Sequence, residues 1–100
     1  MVQQIDRRVK GILRGVDVES LSRTDQATVR KLRLACNEVK LDVRDYEYAQ
    51  TRSEQEKWIR HAQHNIQAFE TLLLMLGDIF GPADIAELSA QLAMLKEAVT

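Results

Sequence analysis

The chain has 100 residues, of which 45% are hydrophobic, and it carries 14 basic and 15 acidic side chains. This length fits one domain, and the net charge of −1 creates no overall field that favours nucleic acid or a membrane surface. The single cysteine excludes an internal disulfide, and the longest all-apolar run, residues 72–76, is far too short to span a bilayer. We therefore expect a single domain over residues 1–100, located in the cytoplasm.

Four stretches carry apolar residues at alternating three- and four-residue steps, the spacing that places them along one side of an α-helix. The four sets are Val2, Ile5, Val9, Ile12 and Val16; Val29, Leu32, Cys36, Val39, Val43 and Tyr46; Ile59, Ala62, Ile66, Phe69, Leu73, Leu76 and Phe80; and Ile85, Leu88, Leu92, Leu95 and Val99. We call each set a seam. No segment keeps the two-residue period of a strand for long. The sequence predicts an all-α four-helix bundle built on a long antiparallel hairpin of helices 2 and 3, with shorter helices 1 and 4 packed on it.

Helix 1 is predicted over Val2–Arg14, with Gly15 ending it in the left-handed conformation that glycine tolerates. Residues 16–23 form a linker with room for one helical turn. Helix 2 is predicted to begin at Thr24 or Asp25, because Thr24 can cap the free amides and Asp25 suits the positive end of the helix dipole.

Residues 50–57 contain neither Gly nor Pro, so one continuous helix is an alternative to a turn. Ser53 followed by Glu56 matches a capping box, and Arg52 suits the end of the preceding helix. The seams of helices 2 and 3 also mirror each other about a point between Arg52 and Ser53. These features favour an antiparallel hairpin.

Helix 3 is predicted to run to about Phe80, where Gly81 ends it and Pro82 opens the next helix. Helix 4 then spans about residues 82–99, with Asp84 and Glu87 near its positive end. Because the connection is so short, helix 4 should fold back along helix 3 or cross it.

Helix 2 carries a second set of apolar side chains nearly opposite its seam, which we call the outer stripe. It consists of Ala27, Leu34, Leu41 and Tyr48, whereas the equivalent positions of helix 3 are the polar Lys57, His64, Thr71 and Asp78. Either helix 1 covers this stripe, or the stripe is an interface, self-paired or offered to another protein, with Asn37, Glu38, Arg44 and Asp45 as a polar rim. Leu74 and Met75 lie off the seam of helix 3 and are candidate interface residues for the same reason.

Two further functions have weaker support in the sequence. Residues 1–50 hold ten basic and eight acidic side chains, and the candidate nucleic-acid contacts are Arg7, Arg8, Lys10, Arg14, Arg30, Lys31 and Arg33. No aromatic residues for base stacking lie among them, so nucleic acid is not the expected partner. His61 and His64 have the spacing of a metal-binding pair, but they fall on the solvent side and need a third ligand from Glu56, Glu47 or Asp45.

The chain offers no catalytic motif. Cys36 lies on the seam of helix 2 and is predicted to be buried, and no nucleophile elbow or glycine-rich phosphate loop is present. We therefore expect a non-enzymatic protein without a cofactor. The leading hypothesis is a small interaction module, a homodimer, that acts through the outer stripe.

Overall fold

The computed structural model describes residues 2–99, and this part of the chain is almost entirely helical. The elements are α1 (Val2–Arg14), a 3-10 turn (Val18–Ser20), α2 (Arg23–Tyr48), α3 (Arg52–Met75), α4 (Gly77–Phe80) and α5 (Pro82–Ala98). The predicted all-α bundle on a long hairpin is confirmed. None of the described helices combines the length and the apolar character needed to cross a membrane.

The four long helices form a ring in which α1 packs on α2, α2 on α3, α3 on α5, and α5 on α1. Contacts between side chains show how neighbours run. Lys40 in the second half of α2 reaches Asp6 near the start of α1, so these helices are antiparallel. Arg8 of α1 pairs with Asp84 at the start of α5, while Val2 lies beside Leu95 near the end of α5, so α5 runs antiparallel to α1. The resulting molecule measures 47 × 24 × 18 Å, so it is elongated along the hairpin.

One hydrophobic cluster fills the centre of the ring. It contains Ile5, Val9, Leu13, Val29, Leu32, Cys36, Val39, Val43, Ala62, Ile66, Phe69, Leu73, Leu76, Phe80, Leu88, Leu92, Leu95 and Val99. The predicted seams account for nearly all of it. In α1 the seam is wrong at its end, because Leu13 is buried while Ile12 and Val16 are only half-buried. Each four-residue step turns about 40° around the helix axis, so the burial of Ile5, Val9 and Leu13 shows that the buried side of α1 rotates around the helix toward its end.

The hairpin turn lies at residues 49–51, a few residues before the predicted position. The Thr51 hydroxyl caps α3 by accepting a hydrogen bond from the Glu54 amide, 3.1 Å away, and the Glu54 carboxylate accepts one from the Gln50 amide. The predicted cap at Ser53 is therefore wrong. Arg52 begins α3 instead of ending α2, and it pairs with Glu56 at 3.6 Å.

Two predictions about helix ends also fail in detail. The side chain that caps α2 is Ser22, which accepts from the Asp25 amide at 3.1 Å, so the helix begins one residue before the predicted Thr24. Helix α1 ends at Arg14 as predicted, but Gly15 does not adopt a positive φ. The Gly15 amide instead donates a hydrogen bond to the Ile12 carbonyl at 3.1 Å. This closes a tight final turn of a kind that any residue can form.

The predicted third helix is interrupted before Phe80. It breaks at Leu76, whose amide donates to the Leu73 and Leu74 carbonyls, and resumes as the single turn α4 at Gly77. Glycine is a weak helix former, which makes this a natural site for the break. Gly81 then ends α4 with a φ of 83°, and Pro82 opens α5, which folds back along α3 as predicted.

Candidate protein–protein interface

The outer stripe of α2 is open to solvent. The exposed fraction is 64% for Leu34, 44% for Leu41 and 77% for Tyr48, and Ala27 is half-buried. These residues recur every seven positions, so the stripe runs along α2 for about 30 Å on the side away from the core. The alternative in which α1 covers the stripe is wrong for the three large side chains.

Helix α1 packs beside the stripe, where a buried polar cluster holds it. Asp6 is only 5% exposed, and its carboxylate pairs with Lys10 at 3.1 Å and with Lys40 of α2 at 3.2 Å. The Cys36 thiol donates to the other carboxylate oxygen at 3.3 Å. The sequence does not predict this contact. Its only local sign is the helical spacing of Asp6 and Lys10 next to the seam residue Ile5.

This cluster changes how two groups titrate. Burial by itself raises the pKa of Asp6, but hydrogen bonds from Lys10, Cys36 and Lys40 outweigh it, so the net pKa lies below the usual 3.8. Burial, followed by the hydrogen bond to Asp6, raises the pKa of the Cys36 thiol to about 12. Cys36 is therefore a protonated, inert thiol at neutral pH.

A groove runs along one edge of the stripe, between the start of α1 and the second half of α2. Val2 and Gln3 form one wall, and Leu41, Arg44 and Glu47 form the other. Leu41 thus belongs both to the stripe and to the groove. Of the predicted polar rim, Asn37, Glu38 and Arg44 are exposed and Asp45 is half-buried.

Leu74 and Met75 are exposed by 57% and 60%, but the structure does not bring both of them to the stripe. Consecutive helical residues point about 100° apart. Leu74 follows Gln67 by seven residues, and Gln67 contacts Lys96 of α5, so Leu74 lies on the α5 side of α3. Met75 points about 100° away from Leu74, so the two side chains do not share one face of α3.

The seven candidate nucleic-acid contacts are all exposed, but two of them are already paired. Arg8 bridges to Asp84 at 2.7 Å and to Glu87 at 3.2 Å, which ties α1 to the start of α5. Lys10 pairs with Asp6. Within residues 2–99, no ion pair is recorded for the remaining five, which are Arg7, Arg14, Arg30, Lys31 and Arg33.

His61 and His64 are exposed on the outer side of α3. The His61 ring lies against Trp58 with 5.4 Å between ring centroids. The Lys57 Nζ atom lies over the Trp58 ring, 5.0 Å from its centroid. In the part of the chain that the structure describes, no three His, Cys, Asp or Glu side chains form a group that could hold a metal ion. The predicted third ligand from Glu56, Glu47 or Asp45 is thus not brought to the histidines.

Comparison with known proteins adds no constraint: no protein-family model, curated protein or solved structure matches this chain. The outer stripe consists largely of apolar side chains that do not belong to the hydrophobic core, so core packing does not account for them. Isolated exposed apolar residues are ordinary on protein surfaces, whereas an aligned series of large ones along a single helix is typical of an interaction site.

Proposed function

We propose that this protein is a small, non-enzymatic helical interaction module that forms a homodimer through the outer stripe of α2. The observation that carries the proposal is the exposure of Leu34, Leu41 and Tyr48 at successive two-turn intervals on one helix face. Pairing this face with a second helix removes apolar surface from water, which stabilises association by about 25 cal/mol for each Å² buried.

Two further observations support parts of this proposal. The stripe has a polar border, since Asn37, Glu38 and Arg44 flank it, as is usual at protein interfaces. Cys36 is a free, buried thiol whose pKa is raised to about 12, which suits a structural role in a reducing compartment such as the cytoplasm.

The decisive experiment compares two Leu/Met→Glu substitutions by light scattering over a range of concentrations. We expect the wild-type chain to have twice its monomer mass of 11.5 kDa, and Leu41→Glu to reduce it to the monomer. Met94→Glu is the matched control, because Met94 is also exposed, by 57%, but lies on α5. Its dimer should persist.

Circular dichroism of both variants completes this experiment. Leu41→Glu should keep the helical signal of the wild type, because the side chain is outside the core. A variant that unfolds would show that Leu41 stabilises the monomer, and a wild-type monomer at all concentrations would exclude self-association.

Nucleic-acid binding is the second candidate. It is favoured only by five exposed cations on α1 and α2 that form no ion pair within residues 2–99, namely Arg7, Arg14, Arg30, Lys31 and Arg33. It ranks lower because Arg8 and Lys10 are neutralised by carboxylates. Binding of this kind weakens steeply as salt increases. Fluorescence anisotropy with labelled single- and double-stranded DNA and RNA at low salt tests it, and no binding to any of them would exclude it.

A further inference from the structure

We propose that the two copies pair with their α2 helices antiparallel, about a two-fold axis that passes midway between Leu34 and Leu41. This inference rests on the proposed function, because it specifies the partner and its orientation on the same surface. Leu34 of each copy then packs against Leu41 of the other, and Tyr48 packs against Ala27.

The charges along the outer side of α2 support this orientation. Its first half carries Arg30, Lys31 and Arg33, whereas its second half carries the carboxylates Glu38 and Asp45 and one cation, Arg44. Among residues 2–99 no ion pair is recorded for any of these six. A parallel pair of helices places the basic halves together, whereas an antiparallel pair places each basic half against an acidic one.

Stability of α2 itself does not explain this distribution. The helix dipole favours carboxylates near the start of a helix and cations near its end. The first turn of α2 contains Asp25, which suits the dipole, but the last turn contains no basic residue and carries Asp45 and Glu47. The dipole therefore does not explain the carboxylates at the end of α2, and an intermolecular role accounts for Asp45 better than a local one.

Individual contacts on the two flanks of the stripe follow from the helical repeat. Lys31 and Asp45 are 14 residues apart, close to four turns, so they share a flank and face each other across the proposed axis. On the other flank Arg30 approaches Arg44, which is unfavourable by itself. Glu47 lies beside the start of α1 and the end of α5, so the electrostatic attraction in this arrangement comes from the flank with Lys31 and Asp45.

The sizes of the stripe residues also suit antiparallel pairing. Tyr48 is the largest of the four and Ala27 the smallest, and the proposed axis places them opposite each other. The two leucines then meet near the axis. A parallel pair would instead oppose Tyr48 to Tyr48 and Ala27 to Ala27, which leaves one end crowded and the other underpacked.

Disulfide cross-linking of two cysteine variants, Ala27→Cys and Tyr48→Cys, tests the orientation. After mixing the two proteins under mild oxidation, we expect the mixed cross-link by mass spectrometry and little of either self cross-link. Native Cys36 does not compete, since it is 5% exposed. Self cross-links in both variants would overturn the antiparallel arrangement and indicate a parallel one.

The remaining outcomes separate this inference from the proposed function. If light scattering shows a wild-type dimer but neither kind of cross-link forms, the antiparallel pairing is wrong and the chain dimerises elsewhere. If the wild-type chain is monomeric, the proposed function fails and this inference fails with it.

Charge reversal gives an independent test in the uncross-linked protein. Lys31→Glu and Asp45→Lys should each weaken the dimer about tenfold, because every dimer contains two such pairs. The double variant should recover most of that loss. Arg60→Glu, an equal charge change on the exposed side of α3, is the control and should leave the dimer unchanged. No recovery in the double variant would overturn the proposed pairing.

Discussion

Asn65 of α3 donates a hydrogen bond from its side-chain amide to the buried carboxylate of Asp42 on α2. Both residues stand next to the seam of their helix, at the level where the two arms of the hairpin face each other. A carboxylate buried among apolar side chains is costly unless it is hydrogen-bonded. The contact therefore favours one alignment of the two arms over alignments that shift the polar pair apart.

Removing the donor should destabilise the fold. We expect Asn65→Ala to lower the free energy of unfolding by about 1–3 kcal/mol, because the Asp42 carboxylate then stays buried without this partner. Urea unfolding followed by circular dichroism measures the change. His64→Ala is the control, since His64 is exposed on α3 away from the outer stripe, and it should change stability by less than about 0.5 kcal/mol. Equal effects of the two substitutions would contradict a structural role for the Asp42–Asn65 contact.

The seam and the outer stripe of α2 should differ sharply in their energetics. Leu32 is fully buried, whereas Leu34 is 64% exposed. Truncation to alanine at Leu32 removes core contacts and leaves a cavity, so we expect a loss of about 2–5 kcal/mol. The same truncation at Leu34 should cost the isolated monomer less than about 0.5 kcal/mol. Urea denaturation at protein concentrations low enough to keep the chain monomeric measures both, and a large loss at Leu34 would show that the stripe belongs to the core.

The free energy of unfolding should depend on pH through the ionisation of Asp6. Its pKa in the folded protein is below the usual 3.8, so the unfolded chain takes up a proton first as the pH falls. The stabilisation is therefore complete above about pH 4 and is lost as the pH drops through the folded-state pKa. Urea unfolding at a series of pH values should show that Asp6→Asn loses less stability than the wild type between neutral pH and this range. Asp78→Asn, an exposed control on α4, should follow the wild-type pH dependence.

Two glycines should respond in opposite ways to alanine. Gly81 has a φ of 83°, a conformation that is strained for any side chain, although an added Cβ would meet no atom within 4 Å. We expect Gly81→Ala to cost about 1–3 kcal/mol through backbone strain alone. Gly11 is exposed within α1 and has equal space, so Gly11→Ala should stabilise the protein by about 0.5–1 kcal/mol. Thermal unfolding measures both changes in stability. A change of the same sign in the two variants would contradict these expectations.

The sequence was a good guide to the core because a seam is a local property. Leu32, Cys36, Ile66 and Phe69 were all assigned to the interior from their spacing, and all are buried. The helix ends were less predictable. Ser22 and Thr51 cap α2 and α3, while nearby Thr24 and Ser53 matched the same capping preferences equally well. A choice between hydroxyl groups two residues apart depends on where the chain turns, which spacing alone does not specify.

The candidate interface was likewise predictable from the sequence only in part. The apolar outer stripe was visible in the seven-residue repeat, but whether it faces solvent depends on where α1 packs. That position depends on core packing of Ile5, Val9 and Leu13 and on contacts of Asp6 with Cys36 and Lys40, which are 30 and 34 residues away in the chain. The period of a single helix carries no information about such contacts. The sequence by itself thus determined that the chain forms helices and which face of each is apolar. The tertiary structure alone decided which of those faces stays open, because burial depends on neighbours that are distant along the chain.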